Sequence, residues 1–477
     1  MRLRATTTTA ALLMAAVGLS APAAHAARTP AAPYDFNGDG RVDLAIGAPA
    51  ATVAGKARAG AVSVVYGGKS GLRTATRTLL TQNTAGVPGT AETGDAFGTA
   101  VASADLNKDG YADLLVGAPG EDADGDTDGG TVVIVWGTKS GLSGARTLPD
   151  LFNTEVDRYG QALAVGDLDR DGDLDVAVGS NGRLGLAFVE GPIAKSGALR
   201  SGSGSGFPSR YSSSYGVTAL TAGPVTGSGT TALVVHGRTT GAAHTAVTDL
   251  VSDTTIGNYT DWLQALPAGY ASAIGDIDKD GYADIAIGND RETSADPAGA
   301  KGGRVTVVYG GPDGRSTSRA PLVLTQDTPG VPNTSETGDR FGSAVFLGDV
   351  NGDGYADLAV GAAGENYGAG AVTVLYGSKS GLKTSGATFV HQDTAGVPDR
   401  SEKKDQFGAR VVLADHSGDK RAELTVGGPG ENSGDGTVWS LRGSATGPTG
   451  TGAIAFGPST TGISTAGTPG YGSVLNG

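Results

Sequence analysis

The chain has 477 residues, with 81 Gly, 21 Pro and no Cys, and its side chains are 38% hydrophobic and 18% charged. That is too much glycine for a helical protein and too little charge for a disordered one. The missing cysteine removes disulfides, thiol nucleophiles, Cys-ligated zinc and a lipoprotein anchor. A formal net charge of −14 argues against a nucleic-acid partner, which needs clustered Lys and Arg.

In chain order, Arg2 and Arg4 precede an apolar run from Ala10 to Leu19, and Ala24-His25-Ala26 follows as a small-x-small cleavage pattern. Residues 1–26 therefore read as a secretory signal peptide, since the run is about half the ~20 residues a spanning helix needs. Residues 27–33 are expected to be a short linker and 34–477 a single domain. The mature protein is expected outside the cell, without a membrane span, as a monomer. Removing Arg2 and Arg4 takes its charge to −16.

From residue 35 onward the chain repeats itself. AFGTAVASADLNKDGYADLLVGAPGE, Ala96 to Glu121, returns as RFGSAVFLGDVNGDGYADLAVGAAGE from Arg340 and as QFGARVVLADHSGDKRAELTVGGPGE from Gln406. Weaker copies open at Tyr159-Gly160, Tyr215-Gly216 and Tyr270-Ala271, and a seventh begins at Asp35 without an aromatic-Gly opening. Each copy carries Val-rich runs between Gly clusters and averages about 63 residues, which suits a four-stranded antiparallel sheet. Tyr471-Gly472-Ser473-Val474-Leu475 resembles the opening strand that the first copy lacks. The expected fold is all-β, a seven-bladed β-propeller closed by the C-terminal strand completing the first blade.

Five copies carry the full pattern D-x-[DN]-x-D-G-x-x-D. In order, these are Asp35/Asn37/Asp39/Asp43, Asp105/Asn107/Asp109/Asp113, Asp167/Asp169/Asp171/Asp175, Asp276/Asp278/Asp280/Asp284 and Asp349/Asn351/Asp353/Asp357. Side-chain oxygens at positions 1, 3, 5 and 9, with the backbone carbonyl at position 7 (Arg41, Tyr111, Asp173, Tyr282, Tyr355), can surround one cation. An all-oxygen donor set favours Ca²⁺. An EF-hand needs Glu at position 12, where these loops have Ile46, Val116, Val178, Ile287 and Val360, so they read as β-hairpin calcium loops. They hold 18 of the 49 acidic residues, and five Ca²⁺ would bring the mature charge to about −6. The fourth copy, with Pro224, Thr226, Ser228 and Ala232, is expected to bind no ion. The seventh, Asp415/Ser417/Asp419/Glu423, is expected to bind a sixth ion weakly or to be neutralised by Lys420.

The pairing of Phe97-Gly98 with Gly117-Ala118-Pro119, Phe341-Gly342 with Gly361-Ala362-Ala363 and Phe407-Gly408 with Gly427-Gly428-Pro429 resembles the FG-GAP repeats of the integrin α-subunit propeller. The resemblance implies calcium at the five complete loops and ligand binding on the opposite face. Similar propellers occur in sugar-binding lectins and beside a glycosylphosphatidylinositol-specific phospholipase D. Two functions stay open: an extracellular binding or adhesion module for protein or carbohydrate, and an extracellular hydrolase of glycans or phosphoesters using carboxylates near the ring axis. No catalytic motif singles out a residue, and His236, His244, His391 and His416 lie in different copies. The recurrence of Glu121, Glu365 and Glu431 after one turn favours a structural role, and the segments from Gln82, Gln326 and Gln392 are expected to pack between blades. Unique segments, Glu121 to Asp128, Ser201 to Tyr215 and Asp253 to Trp262, are the candidates for specificity, with Tyr211, Tyr215, Tyr259 and Trp262 as stacking residues.

Overall fold

A computed structural model of the chain describes residues 29–123, 125–151, 156–182, 184–196, 199, 204–208, 211, 215–227, 231–239, 245–251, 263–292 and 300–477. The signal-peptide region, His244, Ser228, Tyr259 and Trp262 lie outside them. Seven antiparallel four-stranded blades form a closed ring, with helix confined, among the described residues, to three four-residue turns.

Blade 2 shows the plan, running Ala100–Ala104, Asp113–Ala118, Thr131–Val135 and Ala145–Leu148 from axis to rim. Its second strand is buried at every position and its third at all but one, as befits sheets covered on both faces by neighbouring blades. Its rim strand, buried only at Leu148, faces water. The first strand of blade 2, Ala-Val-Ala-Ser-Ala, is made of small residues, which suits seven strands that meet around one axis. They enclose an axial cavity of about 520 Å³.

The aromatic-Gly and Gly-Ala-Pro elements are two halves of one joint between blades. Gly60, Gly130, Gly303, Gly370 and Gly436 bridge in parallel to Phe97, Tyr159, Phe341, Phe407 and Tyr471 of the next blade, and each of these aromatic side chains is fully buried. The glycine after each aromatic has φ of 88–93°, conformations that side chains resist. Its carbonyl presses on the first glycine of the preceding Gly-Ala-Pro turn: a Cβ on Gly47, Gly117, Gly288, Gly361 or Gly427 would lie 1.9–2.2 Å from that oxygen. Neither glycine tolerates a side chain, so the motif persists wherever this joint is made.

The expected closure is present. Val474–Asn476 pairs antiparallel with Leu44–Ala48, as Val474↔Gly47, Leu475↔Ile46 and Asn476↔Ala45, so blade 1 is built from both ends of the described chain. Its joint to blade 7 uses the same parts as the others, with Gly436 against Tyr471 and Gly427 against Gly472. Ser63 and Tyr471 add a 2.8 Å hydroxyl–hydroxyl hydrogen bond across the closure.

Candidate functional site

Four of the Asp loops connect first to second strands, and the Asp35 loop leads into the second strand of blade 1, so all five gather on one face of the ring. In each, the first Asp folds the loop by accepting backbone N–H groups: Asp105 Oδ1 from Asp109 at 3.0 Å and Oδ2 from Gly110 at 2.9 Å, with Asp35, Asp276 and Asp349 doing the same. Asp167 Oδ2 accepts from Gly172. The position-5 Asp accepts the N–H of residue 7, so that Asp39, Asp109, Asp171, Asp280 and Asp353 bind Arg41, Tyr111, Asp173, Tyr282 and Tyr355.

Position 9 does more. Asp43, Asp113, Asp175, Asp284 and Asp357 are at most 1% exposed. One oxygen of each accepts the N–H of position 2 (Phe36, Leu106, Leu168, Ile277, Val350) at 2.8–3.1 Å. The other accepts from the turn between third and fourth strands (Gly67, Gly137, Gly191, Gly310, Gly377) at 2.8–2.9 Å. Burial pushes the carboxyls of Asp43, Asp113, Asp284 and Asp357 up to about 7 and that of Asp175 to about 6. The backbone N–H groups oppose the rise, and neighbouring aspartates of the same loop reinforce it. An added positive charge beside such a cluster would favour its ionised form.

The donor chemistry fits a hard cation. Carboxylate oxygens of Asp167, Asp169 and Asp175, and of Asp276, Asp278 and Asp284, lie within 4.8 Å of one another. Asp167 Oδ1 and Asp278 Oδ1 are buried without a hydrogen-bond partner. In the other three loops position 3 is Asn, with Asn107 Nδ2 donating to Asp113 Oδ2 at 3.0 Å and the Asn37 and Asn351 side-chain oxygens accepting from Asp39 and Asp353. The loops are also linked: the residue at position 8 donates to the position-1 carbonyl of the preceding blade, as Ala112 to Asp35, Ala283 to Pro224, Ala356 to Asp276, Ala422 to Asp349 and Val42 to Asp415.

Basic side chains that the motif does not show also reach the loops. Lys108 lies 2.5 Å from Asp173, Lys195 2.6 Å from Asp109, and Arg319 binds Asp278 while lying over the Tyr309 ring. In the seventh loop Lys420 makes no ion pair among the described residues, while Arg442 lies 3.4 Å from the buried Glu423 and adds a positive charge beside the loop that the expectation had not included.

On the opposite face, the repeated segments do meet across blades: Gln326 Nε2 donates to Glu365 Oε2 at 2.8 Å, Gln392 to Glu431 at 2.7 Å, and Gln82 to Glu121. Tyr211 departs from its expected role. It is 3% exposed and its hydroxyl donates to Asp249, so it packs in blade 4 rather than offering a stacking surface. Tyr215, 42% exposed, remains on the surface. Two features of this face have no motif. Tyr367 is 83% exposed at φ 63°, in a turn whose twin in blade 7 places Ser433 there. Around the axis, Arg238 and Arg291 stack on Tyr270 at 5.0–5.1 Å, while Arg291 and Arg340 share Asp290. The one hint in the sequence is that Arg410 stands at a repeat position where copies 2, 3, 5 and 6 place Ala100, Ala162, Ala271 and Ala344.

The FG-GAP repeat family is matched at residues 27–65, 97–135, 268–308 and 341–375. The chain is 34% identical over 169 residues to the phosphatidylinositol-glycan-specific phospholipase D of Bos taurus, covering 34% of this chain and 18% of that protein. It is 34% identical over 187 residues to integrin alpha-8 of Gallus gallus, covering 37% and 17%, and 38% identical over 119 residues to integrin alpha-6 of Homo sapiens, covering 24% and 9%. The matched stretches span less than a fifth of these relatives. With the repeat matched in four places on seven four-stranded blades, the chain is a seven-bladed β-propeller that carries FG-GAP repeats and is similar in sequence to integrin alpha-8 and alpha-6.

Proposed function

We propose that this chain is a secreted, calcium-stabilised propeller that serves as an extracellular binding or adhesion module for a protein or carbohydrate. Ca²⁺ would be held by Asp35/Asn37/Asp39/Asp43, Asp105/Asn107/Asp109/Asp113, Asp167/Asp169/Asp171/Asp175, Asp276/Asp278/Asp280/Asp284 and Asp349/Asn351/Asp353/Asp357, with the position-7 carbonyls. The observation carrying this reading is the buried position-9 aspartate, five times in one frame beside further carboxylates, with unpartnered oxygens at Asp167 and Asp278. Because each such aspartate also ties down the turn between third and fourth strands, an ion there would brace a whole blade. The hydrogen bonds from loop to loop would carry that bracing around the ring.

The N-terminal Arg2 and Arg4, the apolar run and Ala24-His25-Ala26 support export. No helix among the described residues is long and apolar enough to cross a membrane. The hydrolase alternative called for carboxylates on the axis, and the described residues lining the axial cavity include no Asp or Glu.

The test is calorimetric titration of Ca²⁺ into EDTA-stripped protein. About five ions are expected at micromolar to millimolar affinity, and Asp284→Asn should remove one without unfolding the chain. A stoichiometry near zero would end the reading.

A further inference from the structure

The axial cavity opens, on the face away from the Asp loops, into a basic mouth. Arg410 begins the first strand of blade 7 and lines the cavity with residues from all seven first strands. Arg340 follows the blade 5–6 connection, Arg291 follows the second strand of blade 5, and Tyr270 precedes the first strand of blade 5 and also lines the cavity. Arg291 and Arg340 divide one carboxylate: Asp290 Oδ1 lies 3.3 Å from Arg291 Nε, and its Oδ2 accepts from Arg340 Nε at 2.8 Å and Nη2 at 2.6 Å. Arg410 forms no close ion pair among the described residues, although Asp290 acts on it at longer range; its Nη1 donates to the Ala409 carbonyl at 2.7 Å. Arg410 is exposed at the mouth of the cavity, and its guanidinium is pushed below its ordinary range by desolvation and then by Arg340, with Asp290 opposing the shift. Three guanidiniums against one carboxylate leave a local surplus of two positive charges in a protein whose net charge is −14.

The fold does not ask for this arginine. At the register position of Arg410, which pairs with Gly427, other blades place Ala100, Ala162, Ala271 and Ala344 opposite Gly117, Gly179, Gly288 and Gly361, and Val474 opposite Gly47, and these first strands form equally well. An arginine lining the cavity at a position where alanine suffices needs another reason, and the reason its chemistry offers is an anion.

The surroundings decide which anion. The same face carries Glu92, Asp95, Glu121 and Asp122 at one blade joint, Glu336, Asp339 and Glu365 at another, and Glu402, Asp405 and Glu431 at a third, so a basic mouth sits inside an acidic field. A polyanionic glycan laid over this face would be repelled at its margins. A single carboxylate on an otherwise neutral or basic body would not. The cavity walls mix hydroxyls, including Thr99, Ser272 and Ser343, with apolar side chains such as Ile274 and Leu347, and the cavity of about 520 Å³ leaves room for one side chain on an extended segment.

We propose that this mouth is the docking point for a protein partner that inserts one acidic side chain toward Arg410, flanked by Arg340 and Tyr270. The proposal rests on the reading of the chain as a binding module and narrows its ligand to a polypeptide carboxylate.

The test uses the calcium-loaded full protein and three probes: the capped peptide Ac-Gly-Gly-Glu-Gly-Gly-NH2, its Gln counterpart, and a heparin hexasaccharide. Binding is followed through the arginine side-chain N–H signals in NMR titration. The Glu peptide is expected to bind at millimolar affinity and to shift the Arg410 signal. The Gln peptide is expected to bind at least tenfold more weakly, and Arg410→Ala or Arg410→Gln to weaken the Glu peptide at least tenfold with an unchanged melting temperature. Equal binding of the two peptides, an Arg410 variant that binds normally, or no peptide binding at 10 mM would overturn the proposal. Binding of the hexasaccharide alone would overturn it while leaving a carbohydrate-binding module intact. Calcium titration of the same samples reports separately on the Asp loops.

Discussion

Deleting residues 470–477 is expected to open the ring, and the cost can be worked from what that segment buries. Tyr471 is fully buried, packs edge-on against Phe456 with centroids 6.4 Å apart, and hydrogen-bonds Ser63. Removing a side chain of this kind costs about 3–5 kcal/mol. Leu475, 9% exposed, adds about 2 kcal/mol. The Ser63 hydroxyl, left buried without a partner, adds about 1–3 kcal/mol. The total, on the order of 5–10 kcal/mol, rivals the whole stability of an ordinary domain. The deletion also bares the inner edge of Leu44–Ala48, an invitation to pair with a second chain. Urea unfolding followed by tryptophan fluorescence, with size-exclusion chromatography, reads both effects. The milder Tyr471→Phe should lose about 1–2 kcal/mol, and adding Ser63→Ala should restore most of it, because both polar partners are then gone. A truncated protein that unfolds at the wild-type urea concentration and stays monomeric would refute the view that the C-terminal strand closes the ring.

Three further outcomes follow from single side chains. Arg319→Ala removes the guanidinium bound to Asp278 and should tighten one of the calcium sites severalfold in calorimetry, whereas unchanged affinities would mean that Arg319 does not compete with the ion. His236 is fully buried in blade 4, with Nε2 2.8 Å from Ser272 Oγ and Nδ1 3.1 Å from the Gly269 carbonyl, and burial holds it near 4 against an ordinary 6.5. Its folded value is depressed, so its contribution is complete above pH 6.5 and is lost as pH falls through 4. Wild type should lose about 2–3 kcal/mol more than His236→Gln between pH 7.5 and 4.5 in urea titrations, and parallel pH profiles would contradict the assignment. Tyr367→Ser copies the turn of blade 7 and should change stability by less than about 0.5 kcal/mol, while a loss above 1.5 kcal/mol would show that the exposed ring supports the fold.

What could be read from the sequence was local or repeated. Phe97-Gly98 and Gly117-Ala118-Pro119 are short patterns, and their recurrence betrays the joint because each copy meets the next in the same way. Tyr471 to Leu475 announced the closure by resembling a strand whose fellows were all visible. The Asp loops were legible for the same reason, their donors lying within nine residues. The groups that modify those loops were not legible. Arg319 reaches Asp278 from 41 positions away, and Arg442 reaches Glu423 from the next strand, distances set by strand register and not by any motif. The basic mouth draws on blades 5 and 7 and the connection into blade 6, and no window of sequence contains it. Tyr211 misled because a serine- and glycine-rich segment looks exposed, whereas its ring fits over Gly237, with Asp249 to receive its hydroxyl.

The most direct measurement on the central claim is the thermal unfolding of the protein in excess EDTA and in 1 mM Ca²⁺. Five sites with dissociation constants near 0.1 mM would each add about 1.4 kcal/mol, or roughly 7 kcal/mol together. For a propeller of this size that raises the melting temperature by roughly 7 °C. A rise of that order, absent with Mg²⁺ at the same concentration, is the result expected of loops that hold the ring through calcium. Identical melting curves with and without the ion would mean that the aspartates serve only as turns, and the calcium account would fall.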